Sequence, residues 1–216
     1  MILHILSAIF LGILLSGIWF GMNSILCIWA SKIKLEMISR FSMIVSAMIP
    51  TAIILKNSKL NLLDFASIGD WKSWLILAVT VLVVSVISAR NKITTLPEGK
   101  ELLWYALDGV FMEIPQRMMM QSFICLLMKA WNENIYLSVL ITAIIWCVSI
   151  CIQCVIMKRR FDTGVMRELF ASFVFSMGVG VILLRTEFIG FTMLAHFAER
   201  ILSTMFRKIS KDMERK

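Results

Sequence analysis

The sequence predicts an all-α fold, a polytopic membrane helical bundle with about seven transmembrane helices. Hydrophobic residues make up 59% of the chain and its mean hydropathy is +0.85. Apolar runs recur along the whole length, separated by short polar connections, and the 216 residues include only three prolines. A soluble domain has no use for that much apolar surface. The length suits one compact integral membrane domain spanning 1–216, with no separate soluble part.

The runs lie near 3–30, 41–55, 74–89, 102–128, 136–157, 167–184 and 187–206. The first has no Lys or Arg ahead of it, so it is expected to be a retained span rather than a cleaved signal peptide. It is long enough to tilt or to break, whereas the second is short. Residues 1–90 hold the N-terminal spans, 100–206 the remaining four and 207–216 a basic tail.

The formal net charge is +8. In a soluble protein that excess would invite a nucleic-acid reading. Here the basic residues sit in short connections, as orientation signals do, so the bilayer is the expected partner and nucleic acid is not. With the N-terminus outside, fifteen Lys and Arg fall on inside segments, among them Lys32, Arg90, Lys158, Arg159, Arg160 and Arg207. Five fall outside: Lys56, Lys59, Lys72, Lys129 and Arg185. This bias places the C-terminus in the cytoplasm of a multi-pass protein of the cell membrane. The tail from Arg207 also suits anionic headgroups.

Of the five cysteines, Cys147, Cys151 and Cys154 share one face of an apolar run, where small polarisable side chains pack. One CxxC and two histidines in the chain point to no metal site, and nothing points to a cofactor.

Ionised groups inside a span cost several kcal/mol unless paired or wetted, so each marks a candidate site. Glu113 and Arg117 are four apart, on one helical face. Rise per residue puts Glu113 about 18 Å and His196 about 16 Å from the cytoplasmic edge, and Asp108 and Arg200 both at about 10 Å. Glu113 is thus expected to meet His196, and Asp108 to meet Arg200. Pro115, lacking an N–H, is expected to bend the helix and free a carbonyl near Phe111. Gly178 and Gly180 suit close helix packing, Met118–Met120 suits core or lipid contact, and His4 lies near the membrane edge with no evident role.

Over residues 100–206 the chain resembles the CPBP family, the CAAX-processing and bacteriocin-processing intramembrane endopeptidases also called the abortive-infection (Abi) family. The family motif Glu-Glu-x-x-x-Arg falls on Met112-Glu113-Ile114-Pro115-Gln116-Arg117. Phe-x-x-x-His falls on Trp146-Cys147-Val148-Ser149-Ile150, and His-x-x-x-Asn/Asp on His196-Phe197-Ala198-Glu199-Arg200. Gly178-Val179-Gly180, Leu184-Arg185-Thr186 and Phe191–His196 are similar to the family's closing segments. The resemblance implies a CPBP-like core in the second half, with Glu113, His196, Arg117 and Arg200 as catalytic-site residues. It implies a CAAX prenyl protease-like hydrolase acting on a prenylated or hydrophobic peptide or protein.

Three positions depart from the pattern. Met112 stands for the glutamate that activates water in family members, Ile150 for the second-motif histidine, and Arg200 for Asn or Asp. Peptide hydrolysis needs a base for water, a proton for the leaving amine and donors for the oxyanion, and neither methionine nor isoleucine supplies any of these. The leading expectation is therefore weakened or lost proteolysis with an immunity- or processing-type role, as in bacteriocin immunity. Two alternatives stay open: an active intramembrane glutamate-type endopeptidase using Glu113 and His196, and a small-solute transporter or its binding subunit.

Overall fold

The computed structural model describes residues 1–58, 62–90 and 96–214, with side chains except at 36, 37, 39, 40 and 211–214. Its helices are α1 (Ile2–Lys32), α2 (Glu36–Ser58), α3 (Trp71–Ala89), α4 (Lys100–Glu113), α5 (Ser122–Ala130), α6 (Leu137–Ile156), α7 (Thr163–Thr186) and α8 (Ile189–Glu214). A short 3-10 turn, Phe65–Gly69, precedes α3, and a π-helical segment, Ile114–Gln121, joins α4 to α5 without a break. Five stretches are long and apolar enough to cross a membrane: α1, residues 41–58 of α2, α3, α6 and α7. The rod α4–π–α5 and helix α8 carry the buried charges, which lower their apolar character.

α1 runs unbroken for 31 residues. That is about 46 Å at 1.5 Å per residue, more than the roughly 30 Å of a hydrocarbon core, and the helix shows no break. Only 22% of its most apolar window is buried, against 44% for α7, which puts α1 at the rim. The basic tail is not a loose extension, because α8 continues helical to Glu214. Among the basic residues counted for orientation, Lys59, Lys92, Arg215 and Lys216 lie outside the described residues, as do the side chains of Arg40 and Lys211.

Pro115 does not free a carbonyl at Phe111. The Ile114 N–H donates to Phe111 O, and the helix then widens into the π segment, whose far end donates from Ser122 N–H to Arg117 O. A π segment spreads the lost hydrogen bond over several residues, as π-bulges at functional sites do. The Ser122 hydroxyl also donates to Arg117 O, at 3.2 Å.

The α4–π–α5 rod is the axis of the bundle. Its π segment touches α1, α2, α6 and α7, and α4 lies along α8. On one side Leu77, Val81 and Val84 of α3 pack with Phe175, Val179 and Ile182 of α7 and Phe191 and Ala195 of α8. On the other, Ala8 of α1 packs with Met120, Ile124 and Met128 of the rod and Ile141 and Ile145 of α6. Trp19, Ala47 and Ile54 close over Met119, so the Met118–Met120 run is core. Membrane helices approach closely where side chains are small. Gly178 faces Thr80 of α3, and Gly180 faces Val139 of α6, where an added Cβ would lie 2.7 Å from a valine methyl.

Polar staples fix both ends. At one end His4, which shows no role in the sequence, binds Glu133 at 2.9 Å and stacks on Trp131 at 5.0 Å. Leu63 pairs with Phe188 in an isolated bridge. Asp70 caps α3, accepting from Lys72 N and from the Ser73 hydroxyl at 2.6 Å, and it also binds Arg185 of α7. At the other end Arg167 donates to Arg90 O, Arg207 to Ser88 O, and Lys208 binds Glu98.

The Arg185 guanidinium, with the Ser73 hydroxyl, holds the Asp70 carboxyl well below the usual carboxylate range. A depressed folded-state pKa stabilises above the unfolded value of about 3.9, and that contribution fades as pH falls through the folded value. Asp70→Asn is therefore expected to lower the melting temperature at pH 7. The gap from wild type should narrow as pH drops below about 4. Thermal melts at both pH values check this, and an equal gap at both contradicts it.

Candidate functional site

The site grows from the π segment. In a widened turn, residues four and five apart share a face. Glu113, Arg117 and Gln121 therefore line up along the side of the rod facing α7 and α8. Arg117 is 1% exposed and Glu113 0%, both deep in the bundle. A guanidinium has five N–H donors and must find acceptors where water is absent. Arg117 Nε lies 3.4 Å from Glu113 Oε2. Its Nη1 donates to Gln121 Oε1 at 3.1 Å, and its Nη2 to Ser176 Oγ of α7 at 3.0 Å. Gln121 in turn donates to Gly180 O at 2.9 Å, which makes Gly180 an acceptor as well as a packing residue.

The other oxygen of Glu113 meets α8. His196 Nδ1 lies 2.7 Å from Glu113 Oε1, so the expected meeting of these two residues occurs. The ring lies tilted against Phe175, with centroids 4.7 Å apart. Its approach depends on Gly109 of α4, where a Cβ would sit 2.8 Å from His196 Cδ2 and 3.2 Å from Arg200 Cγ. Gly109 was not evident as a site residue, since a lone glycine in an apolar run has no distinguishing pattern. Glu113 thus has a cation on one oxygen and an imidazole on the other.

Asp108 does not meet Arg200. It is exposed on α4, and Arg200 has other partners. The Arg200 guanidinium lies 4.5 Å over the Tyr105 ring, donates to the Tyr105 hydroxyl and sits 3.8 Å from Glu199 Oε2. Equal depth did not decide the pairing. Tyr105 lies one turn of α4 before Asp108, and its phenol, not the Asp108 carboxylate, takes the Arg200 guanidinium. Tyr105, Glu199, Gln121 and Ser176 escaped the sequence reading. Only Glu199 had a legible sign, an acid within an apolar run beside an arginine.

A cavity of about 540 Å³ opens beside this cluster. Met112, Trp146, Ile150 and Phe175 line its apolar part. Gln116, Ser149, Gln153, Arg117, His196, Glu199 and Arg200 supply polar groups, and Arg159, Glu168, Asp162 and Arg207 lie toward the α7 N-terminal end. All three positions that depart from the family pattern, Met112, Ile150 and Arg200, are on its wall. Glu113 is not among the lining residues. Arg159 and Glu168 pair at 2.8 Å, and Asp162 caps α7 by accepting from Val165 N at 2.9 Å, a bond that holds its carboxyl below the usual range.

This arrangement can orient an imidazole and present a guanidinium to a cavity. It does not present Glu113 to one. Among the described residues no three His, Cys, Asp or Glu side chains are placed to share a metal ion, and the cysteines are free thiols. Cys147 donates to Leu169 O at 3.6 Å, and Cys154 is buried.

Removing one partner of a buried pair leaves an uncompensated charge and costs about 3–5 kcal/mol, whereas replacing both with apolar groups recovers much of the loss. Glu113→Gln and Arg117→Met are each expected to destabilise by a few kcal/mol. The double variant should lose less than the two single losses added. Denaturation of all four proteins in one lipid checks this, and additive losses would show that the charges are uncoupled. No family model, no curated protein and no solved structure matches this chain.

Proposed function

We propose that this chain is a CPBP-type membrane protein that keeps a substrate-sized cavity and serves by binding, with peptide hydrolysis lost. One observation carries the reading: Glu113, the glutamate surviving from the motif, is 0% exposed and held by Arg117 and His196, while the cavity wall carries Met112 and Ile150. A general base must reach the water it deprotonates, and Glu113 has no open face. The motif resemblance supports the family; Met112 and Ile150 on the cavity wall, where the motifs have glutamate and histidine, support a binding role of the immunity or processing type.

A second reading rests on His196. Glu113 holds Nδ1, the ring lines the cavity, and Nε2 has no partner among the described residues. An imidazole oriented by a carboxylate is the arrangement of a general base in acyl-transfer sites. One assay separates the two. Purified protein in lipid, given fluorogenic peptides with and without a farnesyl group, is expected to show no turnover above the lipid blank. Turnover that disappears in Glu113→Gln and in His196→Ala would establish the second reading.

The same proposal has seven spans, with the α4–π–α5 rod and α8 crossing beside the five apolar helices, and the C-terminus in the cytoplasm. The lysines and arginines at the α3 C-terminal, α6 C-terminal and α8 C-terminal ends support it. A C-terminal fusion reporter in cells is expected to report the cytoplasmic side. A reporter active on the outer side would overturn the orientation.

A further inference from the structure

We propose that the cavity takes a monocarboxylate with an apolar body, its carboxylate at Arg200 and its body against Met112, Trp146, Ile150 and Phe175. This rests on the binding reading above and names the ligand class of that site.

Arg200 is the anchor because its donors are only partly used. One Nη donates to Tyr105, and stacking over the Tyr105 ring fixes the guanidinium plane. Its Nε is buried and makes no hydrogen bond, since Glu199 Oε2 is 3.8 Å away, beyond hydrogen-bond reach. The Arg200 side chain lines the cavity and is 31% exposed, so its Nη end, not the buried Nε, is what a carboxylate can reach. Arg117 also has an Nε without a hydrogen bond, but both its Nη atoms donate to Gln121 and Ser176 and its side chain is 1% exposed, against 31% for Arg200.

The neighbours set the charge and the shape. Glu199 also lines the cavity, and its carboxylate beside Arg200 opposes a second negative charge, which favours a monoanion over a phosphate dianion. His196, one turn before Arg200 on α8, gives Nδ1 to Glu113 and also lines the cavity. Met112, Trp146, Ile150 and Phe175 give the wall apolar surface, and a volume of about 540 Å³ fits a small amphipathic ligand rather than a folded segment. Gln116, Gln153 and Ser149 add amide and hydroxyl groups that suit a peptide body, while the apolar side chains suit an acyl chain. Both sources share the carboxylate.

The test is calorimetric titration of the full chain in phosphatidylcholine nanodiscs. The probes are octanoate and octanamide, and N-acetyl-trileucine as free acid and as C-terminal amide. For at least one pair the acid is expected to bind tenfold or more tightly than its amide, and the pair that does so names the source. Arg200→Gln should abolish the preference, and Arg200→Lys should keep part of it, which separates lost charge from lost folding. Equal binding of acid and amide, or no binding of either acid, overturns the proposal. So does a preference that survives Arg200→Gln. Mass analysis of the same peptide samples keeps the two ideas apart: cleavage would sink the binding reading, while intact peptide without acid preference would sink only this one.

Discussion

A guanidinium in the middle of an apolar bundle has to be answered by acceptors, and Arg117 is answered from three directions. Glu113 comes from its own rod, Ser176 from α7, and Gln121 passes the connection on to Gly180. Through Glu113 the network also reaches His196 of α8. In a low-dielectric interior each of these contacts is strong when made and costly when missing. The network therefore fixes how three helical units sit around one another. Apolar side chains alone would leave that register soft, because lipid tails and leucines offer each other similar surroundings.

The π segment is what lets one rod serve this network. Pro115 removes an N–H, and the chain widens over Ile114–Gln121 instead of kinking at one carbonyl. The widened turn keeps Glu113, Arg117 and Gln121 on a common side. Gly109 then allows α8 close enough for His196 to reach Glu113. The cavity lies against this cluster without exposing Glu113. Glu113 is kept off the cavity and, with Arg117, holds helices together, while Arg200 and Glu199 face the open volume and Arg117 borders it.

Much of this was legible from the sequence. Apolar periodicity over long runs gave the helices, because a helix crossing lipid must satisfy its own backbone and cover itself in apolar side chains. The Glu113–His196 meeting followed from depth along two antiparallel helices. Depth alone failed for Asp108 and Arg200, because rise per residue fixes height but not azimuth, and Asp108 faces outward. The π segment was unreadable, since a proline in a helix is compatible with a kink or a widened turn and the neighbours decide between them. His4 looked idle because its partner, Glu133, is 129 residues away in a connecting loop.

The clamp on Glu113 is the central claim, and the nitrogen-15 spectrum of His196 in lipid bilayers tests it most directly. The chain has two histidines, so His4→Gln leaves a single imidazole to observe. The account predicts an Nδ1 that carries a proton in a strong hydrogen bond, protected from exchange, with a large shift on Glu113→Gln. An Nδ1 proton exchanging freely with water, and a spectrum indifferent to Glu113→Gln, would contradict it.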